Sequence, residues 1–271
     1  MLARSMPFKA TRLPIIAGLL IAALSTFAYV RPTRAAQAAA QRPNLSGIWQ
    51  ALNTANWDLQ THGPSGGPPA FGTLLTVPPG TGVVDGDEIP YLPQAEATKK
   101  KNFQARWTDD PEIRCYLPGV PRATYLPHPF QILQSGDAVL IAYEYADAVR
   151  TINMGKPTES PADTWMGWSN GRWEGETLVV DVTGFNDRTW FDRAGNFHSD
   201  ALHVVERYRL VNANLLEYEA RIEDPKVFSR PWTIRMPLYR HAEKNARLME
   251  FKCAEFAEDL LYGHLRKKPN K

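Results

Sequence analysis

The chain has 271 residues, is 44% hydrophobic and 22% charged, and carries a formal charge of +2. That balance excludes a disordered or collagen-like polypeptide. Five basic and no acidic residues fall within positions 1–40, so the remainder holds 26 basic against 29 acidic residues, a formal charge of −3. A mildly acidic body argues against a nucleic-acid binder, which needs a basic face for the phosphate backbone.

In chain order, Arg4, Lys9 and Arg12 precede an uncharged apolar run from Leu13 to Val30, followed by the small-residue stretch Ala35 to Ala40. A positive start, an apolar run and small residues form the pattern of a secretory signal peptide, so residues 1–40 are expected to be a signal and 41–271 a single domain. An uncleaved anchor is the alternative, because the run reaches the lower end of the spanning range of about 17–25 residues. No later segment is apolar enough to cross a bilayer. The expected location is periplasmic or secreted.

Gly47-Ile48-Trp49 opens the first predicted strand, and Gly-x-Trp on a first strand is a pattern of lipocalin-like barrels in which the tryptophan plugs the base. Residues 63–93 contain seven glycines and seven prolines, which predicts a long irregular loop. Pro93 suits the first position of a helix over 94–106. Residues 111–129 carry five prolines and form a second predicted loop. Strands are then predicted over 130–134, 138–145, 148–153, 168–173, 177–182, 202–211, 215–224, 232–239 and 247–253, several joined by Gly- or Asn-containing turns. Residues 254–265 read as a short C-terminal helix. The fold class is mainly β: an antiparallel up-and-down barrel, lipocalin- or calycin-like, of about eight to ten strands with long Pro/Gly-rich loops. Cys115 and Cys253 are expected to be disulfide-bonded in an oxidising compartment, tying the second loop to the last strand.

The richest candidate stretch for chemistry is residues 184–203. Long inter-strand loops are uncommon unless functional or disordered, and Phe185, Trp190, Phe191 and Phe197 oppose disorder. His198 or His203 with Asp187 or Asp200 offers an imidazole oriented by a carboxylate for acid–base work. His198, Asp200 and His203 also form a possible two-histidine, one-carboxylate metal set, but the spacing matches no strong signature and no metal or other cofactor is expected. Glu144, if inward-facing, needs a cation such as Arg150. Arg122, Tyr125 and His128 are candidate rim residues on the Pro-rich loop, and Trp165, Trp168 and Trp190 offer stacking faces for a ligand.

The tracts 115–122, 165–168, 171–181, 184–190 and 198–207, with Glu223-Asp224-Pro225-Lys226 and Arg230-Pro231-Trp232, resemble a broad group of exported proteins of Gram-negative bacteria. The likeness covers nearly the whole chain after the signal and implies export and one domain. It implies no activity and no catalytic residue. Three functions stay open: a cofactor-independent lyase or isomerase using His/Asp acid–base chemistry, a carrier of a small, partly apolar ligand, and an envelope structural or interaction protein. Residue facing decides among them: converging polar groups in a barrel cavity favour an enzyme, an apolar cavity a carrier, and a filled core the third. A small-molecule partner is expected.

Overall fold

The structure, a computed structural model, describes residues 42–71, 75–136 and 138–267; the expected signal segment lies outside them. Strands form where the apolar residues alternate. These are β1 (Gly47–Ala51), four two-residue strands β2 (Thr61–His62), β3 (Ser65–Gly66), β4 (Thr76–Val77) and β5 (Gly80–Thr81), then β6 (Phe130–Gln134), β7 (Ala138–Tyr143), β8 (Val149–Asn153), β9 (Trp168–Glu174), β10 (Thr177–Thr183), β11 (His203–Asn212), β12 (Leu215–Glu223) and β13 (Trp232–Arg240). Nine of them close a barrel in the order β1-β13-β12-β11-β10-β9-β8-β7-β6, with β1 paired to both β13 and β6.

One pairing corrects the purely antiparallel expectation: β8 and β9 run parallel, with Ile152 opposite Ser169 and Asn153 opposite Asn170. Parallel neighbours need a connection of roughly a dozen residues or more to return the chain to its starting end. Residues 154–167 supply it. They are pinned across the wall by Thr158 N–H to Asn170 Oδ1 at 3.1 Å and by Thr164 N–H to the Gly184 carbonyl at 2.9 Å.

A second correction concerns residues 247–253, which form no strand. The barrel is already closed, so no edge remains for another strand to join. Cys253 therefore lies on a largely exposed tail. It sits at disulfide distance from Cys115, with Cα atoms 5.6 Å apart. The C-terminal helix is shorter than expected, Ala257–Tyr262.

Inward-facing side chains fill the barrel. Trp49, Phe130, Ile132, Ile141, Ile152, Val180, Val204 and Ile222 have essentially no exposed surface. Burial of each such side chain is worth about 1.5–3 kcal/mol. Trp49 closes the base. Its indole N–H donates to the Leu45 carbonyl at 2.9 Å, and the Arg240 guanidinium stacks on its ring 4.1 Å from the centroid.

The other mouth is covered by long connections. The segment between β1 and β6 contains helix α1 (Pro93–Asp109), begun by proline at its first position, and the short helix α2 (Arg122–Tyr125), which is buried throughout. This segment is tied to residues 184–202 and 224–231: Arg193 N–H donates to the Asn56 carbonyl at 2.8 Å, Leu92 N–H to Val227 at 2.8 Å and Ser229 N–H to Pro90 at 2.9 Å. The stretch expected to be irregular folds back on itself in two short ladders, β2–β5 and β3–β4. Among the described residues no helix is long and apolar enough to cross a membrane.

Candidate functional site

The barrel interior holds a compact polar cluster. Arg150 on β8 donates to Ser169 Oγ at 2.7 Å and forms a very close ion pair with Glu206 on β11. The hydroxyls of Tyr208 and Tyr218 donate to the other Glu206 oxygen at 2.9 and 2.8 Å. Burial, with the Glu206 charge next, pushes both phenols well above their ordinary pKa. Burial works against the Arg150 charge, but Glu206 outweighs it and Arg150 stays cationic. Arg150 Nη1, the Tyr143 hydroxyl and the Thr124 hydroxyl make no hydrogen bond of ordinary geometry, although Arg150 and Thr124 lie near enough to Tyr143 to act on its ionisation. Arg150 thus faces inward, but its partner is Glu206 rather than Glu144. Glu144 follows the end of β7 and accepts the Met249 N–H at 2.8 Å, with His128 3.6 Å away.

The other sequence candidates scatter. Arg122 is locked bidentate to Asp110 at 2.7 and 2.9 Å and donates to Asn56 at 3.0 Å, all buried. The Tyr125 hydroxyl donates to the Phe191 carbonyl at 2.8 Å. Arg122 holds the capping segment together from within, and Tyr125 ties it to the 184–202 loop. His128 packs between Tyr145 and Phe251. Trp165 packs at a tilt against Tyr116, Trp168 donates to Thr158 on the outer wall at 3.0 Å, and Trp190 bridges to Phe197.

The structure does not bring the four proposed acid–base residues together. His198 is buried; its Nδ1–H donates to the Ser199 carbonyl at 2.8 Å and its Nε2 lies 2.6 Å from the Thr189 hydroxyl. Burial lowers its pKa and keeps it neutral. His203 is on the outer face of β11, 3.0 Å from Asp181. Outward is where it must point, because Val204 and Glu206 take the inward positions of the same strand. Asp200 pairs with Lys226 in solvent, and Asp187 is exposed. The possible metal set His198, Asp200 and His203 therefore faces three directions. Among the described residues no group of His, Cys, Asp and Glu side chains is arranged to hold a metal ion.

A cleft forms where the segment following β1 meets the 184–202 loop on one side and the C-terminal tail on the other. Its polar part, about 190 Å³, is lined by Asp58, His62, Arg106 and Arg193 among others, and its apolar part, about 390 Å³, by Phe71, Ile113 and Phe256; Trp57 and Trp107 border both. The two indoles meet edge to face at 6.3 Å. Arg193 lies over Trp57 and is held from behind by Glu112 at 2.6 and 3.0 Å. Arg106 lies over Phe103 and Trp107.

His62 is the most informative group in the cleft. The β2–β5 ladder places it opposite Gly80. Its Nδ1 is 2.8 Å from the Gln60 carbonyl, which only accepts, so Nδ1 carries the proton. Nε2 is buried and without a hydrogen-bond partner. Asp58 lies near enough to feel the His62 charge, while burial raises its carboxyl pKa. Behind it, Asp192 accepts the Leu59 N–H at 2.9 Å and two donors of Asn196 at 3.1 and 2.6 Å. Burial, then repulsion from Asp58, pushes Asp192 up to about 7. An imidazole beside a carboxyl whose ionisation burial opposes places two groups that can carry a proton in one cleft.

Sequence reasoning passed over Trp57, Asp58, His62, Arg106, Trp107 and Arg193. The signal available was a His four residues after an Asp at the entrance to the Pro/Gly-rich stretch, but nothing local marks the ladder that aims it. A scan of the chain against protein-family models finds no match, and a search of curated proteins finds no significant relative.

Proposed function

We propose that this is an exported protein with a lipocalin-like barrel that binds a small molecule outside the barrel, in the cleft beside the 184–202 loop, and acts on it by acid–base chemistry. His62 Nε2 takes a proton from the bound molecule, and Asp58, in its acid form, delivers one to a second atom, as a lyase or isomerase requires. The single observation that carries this reading is the buried Nε2 of His62, left unpartnered while Nδ1 bonds the Gln60 carbonyl and set beside Asp58. Cys115 and Cys253 at disulfide distance support export, as does the leader-like pattern of residues 1–40.

A carrier is the second reading. It is favoured by the apolar part of the cleft, about 390 Å³, being larger than the polar part, about 190 Å³. A thermal-shift screen of small molecules followed by product analysis separates the two. An acid–base enzyme converts a hit, and His62→Gln lowers turnover by about a hundredfold or more at unchanged melting temperature. A carrier returns the ligand unaltered.

A further inference from the structure

Resting on the placement of the ligand in this cleft, we infer that the molecule bound there is a flat aromatic carboxylate, its ring against the touching pair Trp57 and Trp107 and its carboxylate on Arg106. Four rings, Trp57, Phe71, Trp107 and Phe256, line the apolar part of the cleft, alongside aliphatic side chains such as Ile113 and together with the Arg266–Asp259 ion pair. Offset and edge-on contacts among rings favour a planar aromatic guest over a branched aliphatic one.

The charge requirement comes from Arg106. Its guanidinium lies 3.9 Å from the Phe103 ring centroid and 4.8 Å from that of Trp107, so two rings hold it by cation–π contact. One N–H goes to the Phe103 carbonyl at 2.6 Å, and no carboxylate among the described residues pairs with it. Arg193, by contrast, is matched by Glu112. A guanidinium that lines a cavity and lacks an acidic partner presents its remaining donors in the fork that a carboxylate fits. A carboxylate is also small enough to share the polar pocket of about 190 Å³ with the reacting groups. The apolar and polar parts meet at the two tryptophans, so ring and carboxylate belong to one amphipathic ligand.

The test is calorimetric titration of the protein with 2-naphthoate, 2-naphthalenemethanol and octanoate. The naphthoate is expected to bind about tenfold or more tightly than either, since the alcohol lacks the charge and octanoate the ring. Arg106→Gln is expected to erase the preference for acid over alcohol, Arg106→Lys to restore it in part, and Trp107→Leu to weaken both naphthyl compounds together. Melting temperatures of the variants identify any loss due to misfolding. Equal binding of acid and alcohol, no binding of the naphthoate, or an unchanged preference in folded Arg106→Gln overturns the inference. His62→Gln separates this outcome from the acid–base reading. Naphthoate binding that survives while turnover of a screened substrate is lost supports both. Turnover unaffected by His62→Gln removes the chemistry and leaves the ligand class standing.

Discussion

Gly80 and His62 face each other across a two-residue ladder so closely that a β-carbon added to Gly80 would lie 2.5 Å from His62 Cε1 and 2.3 Å from the Thr54 hydroxyl. The glycine is required for contact rather than for its backbone angle. Gly80→Ala is expected to push the imidazole off the Gln60 carbonyl, cost about 1–3 kcal/mol, and lower function at the cleft as much as His62→Gln does. Denaturant melts and activity of a screened substrate check it. An alanine variant with full stability and activity would show that His62 need not sit where it does.

The Arg150–Glu206 pair has a different role. Its neighbours Ser169, Tyr208 and Tyr218 are packed inside the barrel, and none of these residues borders the cleft. Arg150→Met leaves a buried carboxylate with no cation and is expected to cost about 3–5 kcal/mol, while the double variant Arg150→Met, Glu206→Leu recovers most of it. Chemical denaturation of the three proteins measures this coupling. Ligand binding in the cleft should be unchanged in any variant that folds.

Asp192 gives the molecule a pH dependence of definite sign. Its carboxyl is raised from 3.8 to about 7 in the folded protein. Between those values the native state holds a proton that the unfolded chain has released, so stability falls as pH rises through that window. Asp58, raised by burial as well, acts in the same direction. Between pH 5 and pH 8 the wild type is expected to lose on the order of 2 kcal/mol, measured by urea unfolding. Asp192→Asn should lose much less over the same range.

The bond between Cys115 and Cys253 encloses a sequence separation of 138 residues. Cys253→Ser, or reduction, is expected to destabilise the protein by roughly 2–5 kcal/mol by releasing a long loop in the unfolded chain. Melting temperature with and without reductant tests it, and two freely alkylated thiols in native protein would refute the bond.

The barrel was largely legible because inward and outward positions alternate along β6 to β13, and the hairpin turns between β6 and β7, β9 and β10, and β11 and β12 carry glycine or asparagine. The parallel β8–β9 pair was not legible, since residues 154–167 read equally well as a loop between antiparallel neighbours. Nor was closure, which left 247–253 without a partner strand. The site was harder still. The 184–202 loop contributes Arg193 and Ala194 to the polar part of the cleft. Its histidine, however, is saturated by Thr189 and Ser199, and His203 falls on the outward phase of its strand. The imidazole with an unpartnered nitrogen is set by a ladder partner eighteen positions further along the chain, a relationship that only the fold creates.

The proposed ligand site lies outside the barrel, at His62, and not within it. A crystal structure of the protein soaked with 2-naphthoate tests this most directly. The expected result is one molecule packed against Trp57 and Trp107 with its carboxylate on Arg106 and its ring edge toward His62. A molecule seated instead inside the barrel against Arg150 and Glu206, or an empty cleft at saturating concentration, would contradict it.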